Sequence, residues 1–233
     1  MPNTSNRLLA ALPDAEYRLL QPHIEVMTLP QHQVLFGEGM PVRRGYFPLR
    51  GFISYVAMLD DGPIVETASI GPEGVAGAPL FSPSGTAPIT AIAQMPCQCA
   101  TIPARTLDDV MQDTPVLAAL ARRYFEALLA QAFQNVACNS AHSIEQRTAK
   151  WLLLSADRAQ SDEFPLTQEF LGQMLGVSRQ TVARAAAAFE DGGIITYRRG
   201  RVTITSRDNL MGVSCSCYVA IRDRYEAVMR CAG

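Results

Sequence analysis

The chain has 233 residues, 48% of them apolar and 18% charged, which is enough for two ordinary domains and too apolar for a disordered chain. No apolar run approaches the roughly 20 residues that span a bilayer, and the N-terminal MPNTSNRLLAALPDAEYRLL has neither the basic start nor the long apolar stretch of a secretory leader. The expected compartment is the cytoplasm, where the six cysteines read as free thiols rather than as a disulfide framework.

From Thr4 to Gln21, Leu8, Leu9, Leu12, Leu19 and Leu20, interrupted at Pro13-Asp14, predict two short helices with Asp14 capping the second. Between Ile24 and Ile102 the runs GYFPLRG, FISYVAML, IVETASI, ITAIAQ and CQCATI are separated by Gly, Pro, Asp and Ser clusters. Short runs bounded by turn residues predict an antiparallel sandwich, roll or barrel. LDDGPI at 59–64 reads as a hairpin turn.

After Asp108 the period becomes helical. Leu117, Leu120, Tyr124, Leu128, Ala132 and Val136 fall at three- and four-residue spacing, and Phe125, Leu129 and Phe133 widen the stripe. A helix apolar on more than one face either buries the excess against a second copy of itself or sinks it into its own β-domain, and periodicity leaves both open. A further helix runs from Ser143 to about Asp157, with Ile144, Ala149, Leu152 and Leu153 inward, and the polar AQSDEFPLT ends it. The expected division is residues 1–113 for the β-domain with its N-terminal helices, 114–138 for the long helix, and 139–233 for a C-terminal domain ending in one more helix, Cys215 to Met229.

The net charge of -2 conceals an asymmetry. Up to Leu107, eight acids outnumber six arginines; from Phe164 to Arg207, six arginines face only Glu169, Glu190 and Asp191. The later segment is the candidate to meet a polyanion. Thr167 can cap one helix there, with Leu171, Met174 and Leu175 inward; Gly176 supplies a turn; Ser178 can cap the next, with Val182, Ala185, Ala186 and Phe189 inward. Arg179, Gln180, Thr181 and Arg184 remain on the outer side. This is a helix-turn-helix pattern, and its second helix suits a major groove about 12 Å wide. Arginine pairs with guanine O6 and N7, while the Ser178 and Thr181 hydroxyls suit phosphate oxygens. GGIITYRRGRVTIT then reads as a hairpin turning at Arg199-Gly200, a wing carrying Arg198, Arg199 and Arg201 toward the DNA backbone.

LTQEFLGQMLGVSRQTVAR and SIEQRTAKWLLLSADR resemble the DNA-binding signature, and the helix before it, of the Crp/Fnr family of bacterial transcription regulators, whose best-known member is the cyclic AMP receptor protein. The resemblance spans nearly the whole chain. It implies an α+β fold: an N-terminal β-roll of the cyclic-nucleotide-binding, jelly-roll kind, a long dimerisation helix and a C-terminal winged helix-turn-helix. It also implies a homodimer on a pseudo-palindromic double-stranded DNA operator, with half-sites about one turn apart, and RNA polymerase as a further partner. By motif match, Thr167, Gln168 and Ser178 would hold phosphates, and Arg179, Gln180 and Arg184 would read bases. Many relatives have Glu at position 180; glutamine favours adenine over cytosine, so the half-site is expected to differ from the family's usual one.

Relatives that bind cyclic nucleotides carry a Gly-Glu pair followed by an Arg-Ser/Thr-Ala run, the glutamate on the ribose and the arginine on the phosphate. In GVAGAPLFSPSGTAPITAIAQ, Ala78 stands at the glutamate position and Ile89 at the arginine position, with Thr90 and Ala91 retained. A buried cyclic phosphate would lose its charge-assisted bonds, so cyclic AMP is not the expected effector. The candidate effector pocket is Gly71, Glu73, Gly74, Gly77, Ala78, Ile89 and Thr90. Its glycines read first as β-roll turns, with a phosphate-cradling loop as the alternative.

No cofactor or metal is expected. Relatives with iron-sulfur clusters have cysteines near the N-terminus, and the first here is Cys97. Cys97 with Cys99, and Cys215 with Cys217, are weak metal signals without a second pair at ligand spacing, and His23, His32 and His142 read as structural. A regulator controlled by its thiols or a metal is the alternative function. The chain has no Ser-His-Asp order, HExxH or phosphate-binding lysine loop, so an enzyme is not expected.

Overall fold

The computed structural model describes residues 4–60, 64–77 and 85–230. Its N-terminal half is built on strands with one apolar face: β1 (Glu25–Leu29), β2 (Val34–Phe36), β3 (Arg44–Arg50), β4 (Ile53–Met58), β5 (Ile64–Ile70), β6 (Thr90–Ala93) and β7 (Cys97–Pro103). They form two antiparallel sheets, ordered β1-β7-β3 and β2-β6-β4-β5. Phe47, Phe52, Ile53, Ile70 and Ile102 fill the space between them, each at most 1% exposed. The hairpin foreseen at 59–64 joins β4 to β5, with Met58 opposite Ile64; residues 61–63 of its turn lie outside the described residues.

Two short helices, α1 (Arg7–Ala10) and α2 (Asp14–Leu20), close one side with Leu8, Leu9 and Leu20 buried. Asn6 caps α1, its Oδ1 accepting from Leu9 N at 3.2 Å while Nδ2 donates to the Pro48 and Gly74 carbonyls. The expected cap by Asp14 does not form: Pro13, already extended, occupies the cap position and Asp14 becomes the first helical residue. Glu16 instead reaches forward, its buried carboxylate accepting from Val116 N and Leu117 N at 3.0 Å each. It satisfies the open amides of a later helix and places negative charge at its positive end.

That helix follows α3 (Ala104–Gln112) and is the 27-residue α4 (Pro115–Ala141). Leu117, Leu120, Tyr124 and Leu128 are buried on the β-roll as the stripe requires, but its inner face continues through Gln131, Asn135 and Cys138. Val136, expected in that stripe, is 68% exposed. Successive four-residue steps rotate about 40° each at 3.6 residues per turn, so a run of them leaves the buried face. Val136 therefore joins Phe125, Leu129 and Phe133 on an outer apolar face.

The C-terminal half begins with α5 (Ile144–Ala159), opened by a capping box between Ser143 and Gln146. There follow β8 (Glu163–Pro165), α6 (Gln168–Leu175), α7 (Arg179–Asp191), β9 (Ile195–Arg198), β10 (Arg201–Ile204), α8 (Arg207–Val213) and α9 (Cys217–Arg230). β8 lies within the segment read as polar loop and completes a small sheet, β8-β10-β9. The single helix expected from Cys215 to Met229 begins two residues later, preceded by a separate α8. α9 packs along α4, where the Tyr225 hydroxyl donates to Gln131 Oε1 at 2.6 Å and Tyr225 lies against Tyr124, ring centres 5.8 Å apart.

The two halves meet through buried polar contacts. Arg158 Nε donates to Glu73 Oε1 at 2.7 Å and its Nη1 to Ser69 Oγ at 2.8 Å; Trp151 Nε1 donates to Glu66 Oε1 at 3.1 Å. Burying such a pair is tolerable because both ends are bonded.

Candidate nucleic-acid interface and sensor cavity

The α6–α7 pair is set by local chemistry. Thr167 Oγ1 accepts from Phe170 N at 3.2 Å, and Gly176, at φ 65°, ends α6 in the left-handed region that glycine tolerates. Gly172 allows the crossing, since a Cβ there would lie 2.9 Å from the Val177 carbonyl oxygen. Ser178 Oγ accepts from Thr181 N at 3.2 Å and opens α7. Val182, Ala185, Ala186 and Phe189 are buried, while Arg179, Gln180 and Arg184 are exposed and Thr181 is half-buried. With Ala183, these three exposed side chains fall within an arc of about 140° on α7. Gln168 is half-buried at the start of α6, and Thr167 and Ser178 are exposed at the two helix starts.

The wing turns where expected, with Arg199 at φ 49° and Gly200 at φ 73°, the double positive φ of a two-residue hairpin turn. Tyr197 locks it: its amide donates to Glu190 Oε1 at 2.8 Å and its hydroxyl to the Leu166 carbonyl at 2.7 Å. Arg198 and Arg199 are exposed. Arg201 differs from its neighbours, because its Nε donates to Glu163 Oε1 at 2.6 Å and its charge is matched within the wing sheet.

A cavity of about 290 Å³ lies between the β-roll and α4, lined among others by Phe36, Tyr55, Gly77, Ile89, Phe125 and Leu128. The lining side chains include no charged group, and the sequence has none between Glu73 and Arg105. Tyr55 supplies the main polar group; its hydroxyl accepts from Gly77 N at 3.2 Å, and burial pushes it up to about 12. The lining offers no cation to the anion of a cyclic phosphate.

The seven residues read together as a pocket separate. Gly77 and Ile89 line the cavity, and Ala78 lies outside the described residues. Gly71, Glu73 and Gly74 are interdomain packing: a Cβ at Gly74 would fall 2.1 Å from the Tyr124 hydroxyl oxygen, one at Gly71 2.4 Å from Arg158 Cγ, and Glu73 is held by Arg158. Gly74 N donates to the Gly71 carbonyl at 3.0 Å, the turn that the first reading of these glycines expects. Thr90 faces a different hollow, beneath α6 with His32 and Phe170, and its Oγ1 accepts from Glu38 N.

Cys97 and Cys99 share a face of β7, Sγ atoms 3.4 Å apart and buried. Cys215 and Cys217, however, meet Cys138 and His142 from the far end of α4.

Comparison with known proteins defines the class first. Residues 26–114 match the cyclic nucleotide-binding domain family, and residues 146–213 match the Crp-like helix-turn-helix domain. Together they make a DNA-binding transcription regulator with a sensor-fold domain. The chain belongs to the Crp/Fnr family. A CRP-like cAMP-activated global transcriptional regulator of Mycobacterium tuberculosis is 26% identical over 200 residues, 82% of this chain and 88% of the relative. Among solved structures, FixK2 from Bradyrhizobium japonicum has a TM-score of 0.70 at 18% identity, covering 83% of this chain and 98% of its own. The c-di-GMP responsive global regulator CLP of Xanthomonas campestris has a TM-score of 0.66 at 17% identity, covering 82% and 99%. No helix among the described residues is long and apolar enough to cross a membrane.

Proposed function

We propose that two copies of the chain pair along α4 and place their α7 helices in successive major grooves of a pseudo-palindromic operator. Arg179, Gln180 and Arg184 read base edges; Thr167, Gln168 and Ser178 hold phosphates at helix starts; Arg198 and Arg199 meet the backbone from the wing. The observation that carries this reading is α7 itself, apolar and buried on one side while it presents an exposed Arg-Gln-Arg fork on the other. The apolar face of Phe125, Leu129, Phe133 and Val136 supports the pairing.

The sensor cavity suits a small, uncharged, largely apolar effector. It abuts α4 at Phe125 and Leu129, so an occupant would touch the same helix that carries the pairing face. The mycobacterial relative is described as cAMP-activated, whereas here the place of the phosphate-binding arginine is taken by Ile89.

The test is selection of a randomised duplex library by the purified chain, at fixed salt, with and without cyclic AMP. Enrichment of one two-fold symmetric site, the same in both arms, is expected. A site with no symmetry argues against the dimer, and enrichment that needs cyclic AMP overturns the cavity reading.

A further inference from the structure

Four potential ligands converge where α4 ends and α9 begins. Cys138 lies in the last turn of α4, His142 is the extended residue that follows it, and Cys215 and Cys217 flank the start of α9. Their donor atoms all lie within 4.8 Å of one another. Cys138 Sγ is 3.6 Å from Cys215 Sγ, and Cys217 Sγ is 3.6 Å from His142 Nδ1. A tetrahedral zinc with bonds of about 2.3 Å to sulfur and 2.0–2.1 Å to nitrogen sets its ligand atoms roughly 3.6–3.8 Å apart. Both of these pairs already stand at that separation.

The surroundings are those of an anionic sulfur site. Lys150 is 5% exposed, and its ammonium donates to Asn135 Oδ1 at 2.7 Å and to Cys138 Sγ at 3.4 Å. It forms no salt bridge with a carboxylate among the described residues, so the sulfur cluster is where a balancing negative charge belongs. Gln134 Nε2 donates to Cys217 Sγ at 3.1 Å, a second N–H bond to sulfur.

We propose that Cys138, His142, Cys215 and Cys217 form a tetrahedral site for a thiophilic divalent cation, Zn²⁺ in the resting protein. Three thiolates, one neutral imidazole and one Zn²⁺ leave a single negative charge, which Lys150 neutralises. A Cys138–Cys215 disulfide would instead remove the thiolate that faces this buried ammonium. With every position filled by protein the site is closed, the arrangement of a structural rather than a catalytic zinc. It joins three elements at once: the end of α4, the His142 joint leading into α5, and the break between α8 and α9. Occupancy would therefore fix how the DNA-binding half sits on the long helix. The site stands independently of the DNA-binding reading.

The test begins with metal analysis of the full chain purified under reducing conditions, followed by cobalt titration of the metal-stripped protein. One zinc per chain is expected, then one equivalent of cobalt with the intense visible bands of a tetrahedral thiolate site. His142→Ala should weaken cobalt binding roughly tenfold or more and shift those bands, and Cys138→Ala with Cys217→Ala should abolish them. Cys97→Ala, on the distant sheet, should change nothing. A wild-type chain that takes up no stoichiometric cobalt overturns the proposal whatever the variants do. So does a tetrahedral signal that survives loss of both cysteines, or isolation of the chain metal-free with Cys138 and Cys215 disulfide-bonded.

Discussion

Ser54 lies between two oxygens, with its Oγ 2.6 Å from Glu66 Oε2 and 2.8 Å from Gln94 Oε1. One hydroxyl proton cannot serve both acceptors. Two arrangements resolve the conflict: a protonated Glu66 that donates to Ser54 while Ser54 donates to Gln94, or a Gln94 amide turned so that its Nε2 donates to Ser54. Burial pushes this carboxyl above its ordinary value near 4.5, outweighing the opposing effects of Ser54, Arg158, Lys150 and Trp151. Below the unfolded value both states are protonated and the contribution to stability is complete; as pH rises, the unfolded chain ionises first, and stability is lost until the folded value is passed. Glu66→Gln keeps an acceptor for Trp151 and removes the titration. In urea unfolding from about pH 4.5 to about pH 8, wild type should lose stability relative to the variant as pH rises. A constant difference across that range would mean that Glu66 is ionised in the fold.

At the scale of elements, what the sequence disclosed depends on how local the determinants are. Thr167, Gly176 and Ser178 act within three or four residues of themselves, so α6, the turn and α7 can be read directly, as can the Arg199-Gly200 turn of the wing. Glu16 caps a helix a hundred residues on, Arg201 is matched by Glu163 across a sheet, and Cys138 meets Cys215 only because α9 returns along α4. No spacing rule reaches such partners. The glycines at 71 and 74 do bracket a turn, Gly74 N donating to the Gly71 carbonyl at 3.0 Å, but they are also contact points for Arg158 and Tyr124, which no local rule reveals. Helix α4 is intermediate: periodicity found the stripe but could not choose between burial at home and burial against a copy. The structure buries Tyr124 at 0% exposure on one side and leaves Phe133 64% exposed on the other. Replacing Phe133 and Val136 together by Glu should therefore convert the proposed dimer to monomer in sedimentation, with the far-UV circular dichroism spectrum retained, because neither side chain is part of the buried core. A double variant that still sediments as a dimer would place the pairing surface elsewhere.

At the scale of the whole molecule, a chain with 20 basic and 22 acidic residues gains little from general attraction to DNA. Its affinity must come from a few phosphate contacts made by a local patch, and salt dependence counts such contacts. Each phosphate neutralised by a cationic side chain adds about 0.9 to the slope of log affinity against log salt, and in a symmetric dimer every substitution acts twice. Arg199 sits at the exposed tip of the wing, in a turn whose backbone needs nothing from its side chain. Arg199→Ala should flatten the slope on the selected operator by about 2, because each wing then leaves one phosphate to its counterions. Arg201 carries the same charge two residues further along the wing, but its guanidinium is already matched by Glu163 at 2.6 Å. Arg201→Ala should leave the slope unchanged. Anisotropy titrations from about 50 to about 200 mM salt separate the two cases. Equal flattening by both variants would mean that the Arg201–Glu163 pair opens on DNA and releases a third cation per wing to the backbone. An unchanged slope in Arg199→Ala would mean that the tip of the wing stands clear of the backbone.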